Sequence, residues 1–301
     1  MLVILLLAAL SLYTSALVAA VALLPILYLL YLYEVAVYQH EPLFVLAATL
    51  VTGAVLGVGY TLVISHLINS TTAGTQQGPI ITGVLLPIAI QLLMVAGPLL
   101  LLSHAHFDET LDGLTFGVSS ALGFTLALVI TSYWHLFTAP LQGSAAVSTD
   151  ELLSLLRTGI LLTVVNAATT GTITAALWLH VHGRSRRRHV NVWRGLQATL
   201  IVAFGMQIVL GLITYFVTTL LLMVVLWALA AALLLVWLRV VLHYALLEEG
   251  ADLHIGEPSA CPECHHLVPT MLFCPACGVA RSAAPKQHHA RVAIAPVEAA
   301  T

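Results

Sequence analysis

The sequence predicts an all-α polytopic membrane protein of about seven transmembrane helices that ends in a small four-cysteine ribbon. Three observations predict this. The 301 residues are 60% hydrophobic and only 8% charged, with a mean hydropathy of +1.02. A soluble globular domain averages roughly 25% charged residues, so this composition excludes an ordinary water-soluble fold. The 10 basic and 13 acidic residues also leave long intervals empty: none lies between Leu43 and Ala105, Gly113 and Thr149, Thr158 and Gly183, or Gly195 and Leu238. Each interval exceeds the roughly 20 apolar residues that a helix needs to cross a bilayer. Finally, all four cysteines fall between residues 261 and 277, in a segment of different composition. The net charge of −3 is too small to suggest nucleic acid or an acidic surface as a partner.

Spans are expected at about 5–33, 43–68, 79–103, 113–138, 152–182, 195–217 and 219–246. The first has no basic segment before it and outlasts the apolar stretch of a cleavable signal, so it reads as an uncleaved helix. The last two share one apolar stretch too long for a single crossing, with a divider expected at Val217 to Leu220. Small residues dot the spans, notably Gly53, Gly57, Gly59, Gly117, Ser119, Ser120 and Gly123. They let helix backbones approach closely. The Gly53/Gly57 pair has the G-x-x-x-G spacing that packs helices within a chain or between the copies of a homo-oligomer.

Arg184, Arg186, Arg187 and Arg188 follow the fifth span, with Arg194 just beyond. Positive loops stay on the cytosolic side. An odd number of spans then puts the N-terminus outside and the C-terminus in the cytosol of a plasma-membrane protein, and Arg239 near the end of the last span agrees. The same arginines would also attract anionic headgroups. Domain boundaries follow composition: a helical domain over 1–249, a polar linker over 250–260, a ribbon over 261–278, and an Ala-, Pro- and His-rich tail over 279–301, read as disordered.

The ribbon motif is Cys261-Pro-Glu-Cys264, then nine residues, then Cys274-Pro-Ala-Cys277-Gly278. Two C-x-x-C knuckles offer four thiolates to one tetrahedral Zn²⁺. Disulfides would make an awkward pair of small loops, and a cytosolic location keeps thiols reduced. Four protein ligands close the site, so the zinc is structural and supplies most of the segment's folding free energy. His265 and His266 could compete as ligands but read better as surface residues. The segment resembles small ribbons of the pattern C-P-x-C…V-P…F-C-P-x-C-G, matching through Val268, Pro269 and Phe273, which recur as accessory modules on unrelated bacterial proteins. Glu263 is the only charge within 261–278, which gives nucleic acid little to bind.

Polar groups at membrane depth are costly and mark function. Gln91, Asn166 and Gln207 each fall near the middle of a different span. His66, His135, Thr169 and Thr170 are expected nearer helix ends or interfaces. The three amides could serve as interhelical glue or as a substrate or ion site. No Asp, Glu, Lys or Arg is expected inside the membrane, so a proton relay is hard to build.

Two stretches carry a family resemblance. Tyr33-Glu34 to His40-Glu41-Pro42 leads straight into a span, and Asp112-Gly113-Leu-Thr-Phe116-Gly117 is followed by Leu122-Gly123-Phe124. Together they resemble PrsW-like intramembrane proteases over roughly residues 25–215. The resemblance implies a helical bundle whose chemistry rests on a Glu-Glu pair after a proline, a later Glu, and His on two further helices. Those positions correspond here to Ile90 and Gln91, to Leu128, and to Asn166 and Gln207. An amide neither takes a proton at neutral pH nor binds a catalytic metal well.

The resemblance therefore implies a pseudoprotease: a bundle holding membrane or cytosolic protein partners, with the ribbon as a docking module. Two other readings stay open. An active peptidase could use His104, His106, Asp108, Glu109 and Asp112 in the loop before the fourth span. A small-molecule or lipid transporter is weakened by the absence of an inverted repeat.

Overall fold

A computed structural model of the chain describes residues 43–70, 78–102, 107, 110–134, 149–182, 189–252, 259–268, 274 and 276–277, together with helical positions 19, 22–23, 25–28 and 30. Apart from those positions, the expected first span lies outside the described residues. Six long helices follow. Helix α1 is Leu43–Ser70. A π-turn at Ile81–Leu85 runs into Leu86–Leu101 to form α2, and α3 is Thr110–Ser132. Helix α4 comprises Thr149–Leu155, a π-turn at Leu156–Leu161, and Leu162–His182. Helices α5 and α6 are His189–Phe216 and Leu220–Asp252. The break between them is Val217 to Thr219, within the expected divider.

All six are long and apolar enough to cross a membrane, and the protein is a multi-pass helical membrane protein. The window most apolar in α3 and in α4 is 67% buried, against 17–33% in the others. Those two helices therefore form the centre, with α1 on one side of α3 and α5 beyond α4. Outer faces carry exposed apolar residues such as Phe44, Val55, Ile201 and Leu221, as lipid contact requires.

Glycines set the closest approaches. A methyl group added at Gly57 of α1 would sit 2.5 Å from the Phe124 carbonyl oxygen of α3. Gly53 faces the Ser120 carbonyl in the same way, and Gly123 faces that of Leu50. The Gly53/Gly57 pair is thus spent on packing within the chain. Across the other face of α3, a methyl group added at Gly113 would sit 2.7 Å from the Trp178 indole of α4, and one added at Gly117 would meet the Thr174 side chain. Helix α6 instead meets α4 and α5 through side chains, joining Met223, Trp227, Ala230 and Leu234 to Val165, Ala168 and Leu210.

Two prolines disturb α2, and each has a local answer. Pro87 has no N–H for the Gly83 carbonyl four residues back, and the helix widens there into its π-turn. Pro98 likewise leaves the Met94 carbonyl without its helical donor. The Ser120 hydroxyl of α3 donates to that carbonyl at 2.8 Å. A freed backbone group in lipid must find such a partner.

One expectation needs correcting. Arg157 lies inside the span Leu153–Val181, and Arg239 inside Leu220–His243, so the spans are not free of formal charge. Each sits four residues from an end of its span, where a long side chain can reach the interface.

The chain divides into two compact units, Met1–Glu249 and Gly250–Thr301. In the second, β1 (Ser259–Ala260) pairs antiparallel with β2 (Leu267–Val268), in the register Ser259↔Val268 and Ala260↔Leu267. The sheet begins two residues ahead of the first cysteine.

Candidate functional site

The centre of the bundle holds a closed polar cluster. Asn166, Thr169 and Thr170 occupy positions i, i+3 and i+4 of α4, so they share one helix face. Gln91 of α2 and Gln207 of α5 reach that face from the flanks. Gln207 Nε2 donates to Gln91 Oε1 and to Asn166 Oδ1, each at 3.1 Å, and lies 3.2 Å from Thr169 Oγ1. The Thr169 hydroxyl donates to Gln91 Oε1 at 2.9 Å. Gln91 Nε2 donates to Thr170 Oγ1 at 3.1 Å, and Asn166 Nδ2 to Thr125 Oγ1 of α3 at 2.9 Å. The three amides are almost wholly buried, at 0%, 1% and 5% exposure for Gln91, Asn166 and Gln207. Four helices thus contribute to one neutral network.

Two residues of this cluster overturn an expectation. Thr169 and Thr170 are fully buried at its centre rather than near a helix end. Thr125 was not singled out from the sequence. Its only signal is its place one residue beyond Gly123-Phe124. Ile90 and Leu128 do not join the network; both pack against Met94, Ala121 and Phe124 beside it. The Asp112–Phe124 stretch is a packing segment. Phe116 stands edge-on to Phe107 and Trp178, and Phe124 tilts against Tyr60. Asp112 is buried in the first turn of α3, while His104, His106, Asp108 and Glu109 lie outside the described residues, as do Glu34, Glu41 and Pro42. His66 is exposed on α1, and His135 lies outside the described residues.

Nothing in the amide cluster can act as a general acid or base at neutral pH: it consists of amides and hydroxyls. Neutral oxygens and amide nitrogens also make poor ligands for a catalytic transition metal. What the network does well is fix the relative heights of α2, α3, α4 and α5.

The second candidate is the cysteine centre. The Sγ atoms of Cys261, Cys264, Cys274 and Cys277 all lie within 4.8 Å of one another. Cys261 is 3.8 Å from Cys277, and Cys264 is 3.7 Å from Cys274. A tetrahedral ion with metal–sulfur bonds of about 2.3 Å has edges of about 3.8 Å. A disulfide needs about 2.05 Å, so these are four free thiols arranged for a metal. Local backbone helps. The N–H groups of Cys264 and Glu263 point at Cys261 and pull its thiol from 9.0 down to about 6. Cys274 is lowered chiefly by the N–H of Cys277. Cys264 receives the N–H of His266, which lowers it, yet burial and the sulfurs of Cys261 and Cys274 leave it raised. One folded site thus biases two thiols toward the ligand form. The first knuckle closes through His265 N–H to the Cys261 carbonyl at 3.0 Å, with His265 at a φ of 57°. The His265 backbone is therefore in the left-handed region, where glycine is the easy residue.

No family model, curated protein or solved structure matches the chain.

Proposed function

We propose that the protein is a catalytically silent, PrsW-like membrane scaffold that holds protein partners through its bundle, with a zinc ribbon as a cytosolic docking module. The observation that carries this reading is the meeting of Gln91, Asn166 and Gln207 in one hydrogen-bonded cluster. The resemblance assigns those three positions to catalysis, and side chains that descend from one catalytic site are expected to meet. Their replacement by amides keeps the polar contacts between helices while removing any group that could take a proton.

Zinc is the ion favoured at the cysteine centre, because a closed tetrahedral set of four thiolates suits it and leaves no position open for substrate. The reading rests on sulfur geometry and on the two C-x-x-C knuckles.

Reconstitution tests the silent scaffold. Purified protein in lipid vesicles should leave a membrane-spanning peptide intact. Cleavage that disappeared on Asn166→Ala or His106→Ala would overturn the reading in favour of a working peptidase. Orientation has its own check. Cysteines placed at Ser185 and Ser144 should label from opposite sides of the membrane, with Ser185 cytosolic. Labelling of both from one side would remove the topology and the cytosolic ribbon with it.

A further inference from the structure

Arg157 stands apart from every feature used so far. It lies in the π-turn of α4, within the span Leu153–Val181, and is half-buried. Its guanidinium Nη1 donates to the Met223 sulfur of α6 at 3.0 Å. Among the described residues this is its only polar contact, and no carboxylate pairs with it. A thioether is a weak, neutral acceptor and cancels none of the charge. Arginine cannot shed its proton, so a guanidinium at membrane depth must meet an anion or reach water. The first turn of α6, where Met223 lies, is the positive end of a helix dipole and offers no compensation.

The surroundings say at which level of the bilayer this occurs. Met223 follows the α5–α6 turn by one helical turn. Tyr215 and Phe216, the last residues of α5, are exposed there, with ring centroids 5.0 Å apart. Exposed aromatic rings at a helix end mark the headgroup region. The π-turn adds a residue to the local helix turn and alters where Arg157 projects. Only part of the guanidinium is occupied by Met223, and its remaining donors suit the paired oxygens of a phosphate.

We propose that Arg157 binds the phosphate of an anionic phospholipid seated between α4 and α6, next to the α5–α6 turn. The lipid supplies the counter-charge that the described residues lack at this point. The chemistry recognised is a phosphate oxyanion, which an inorganic phosphate ion shares.

The test uses the full chain in detergent, with vesicle-derived phosphatidylglycerol and phosphatidylcholine as probes. Native mass spectrometry of the wild type should show one phosphatidylglycerol retained per chain that Arg157→Gln does not retain. Arg239→Gln, at the other end of α6, should keep it. Thermal unfolding gives a second readout: phosphatidylglycerol should raise the wild-type midpoint above that in phosphatidylcholine, and Arg157→Gln should abolish the difference. Arg157→Lys keeps the charge but not the bidentate geometry, so it should retain the lipid more weakly. If millimolar inorganic phosphate gives the same stabilisation in the absence of anionic lipid, the site takes free phosphate and the lipid assignment fails. Equal lipid retention by wild type and Arg157→Gln would overturn the proposal, as would a wild type indifferent to lipid charge. If Arg157→Gln does not fold, the wild-type and Arg157→Lys comparisons still decide it.

Discussion

Ser120 illustrates how a single side chain can settle a backbone problem on another helix. Pro98 strips the Met94 carbonyl of its helical donor, and Ser120 supplies a hydroxyl from α3 at 2.8 Å. The same economy governs the cysteine centre, where backbone N–H groups favour the thiolate of Cys261 before any ion arrives. That thiol sits well below its ordinary value of 9.0, so its contribution to stability without metal is present above that value. The contribution fades as pH falls toward about 6. Metal analysis should find about one zinc per chain, and Cys261→Ser should abolish it. A serine variant that kept stoichiometric zinc would refute the centre. The cysteine spacing made this site legible in the sequence, since two knuckles with matched turns allow few other arrangements. The left-handed His265 was not legible, although its counterpart after the second knuckle is Gly278.

Helices α1, α3 and α4 form the tightest part of the bundle, and the reason is the absence of side chains at chosen points. Gly53, Gly57 and Gly123 let the α1 and α3 backbones touch, while Gly113 and Gly117 admit Trp178 and Thr174 of α4. Gly53→Ala or Gly123→Ala should each destabilise the protein by about 1–3 kcal/mol, because the obstructing atom is a backbone carbonyl that cannot rotate away. Gly59→Ala should be neutral or slightly stabilising, since nothing lies within 4 Å of its Cβ direction. Denaturation in mixed micelles would check the ranking. Equal costs at Gly59 and Gly123 would count against the close α1–α3 contact. Charge-free intervals made the spans themselves readable. Which glycines matter was not readable, because helical spacing alone cannot say which face meets a neighbour. The π-turns were also hidden. Pro87 hints at one, but nothing in Leu156–Leu161 marks the other.

At the scale of the whole bundle, Gln207 ties α2, α4 and α5 together from one nitrogen. Gln207→Leu should cost about 1–3 kcal/mol by leaving the Gln91 and Asn166 oxygens short of a donor. Replacing all three amides with leucine should cost less than the sum of the single changes, since no half-satisfied amide then remains. Strict additivity would mean the amides act independently. Their mid-span placement was evident from the sequence; that three threonines complete the set was not, because a threonine in an apolar span usually bonds back to its own helix. Gln91 and Asn166 are synthesised well before Gln207. A nascent chain that has placed only α1 to α4 in the membrane therefore has Gln91 held by Thr169 and Thr170, while Asn166 Oδ1 still waits for the donor that Gln207 supplies. The network closes only when α5 brings in Gln207, so the last step of assembly at the centre of the bundle is the docking of one side chain between helices already in place.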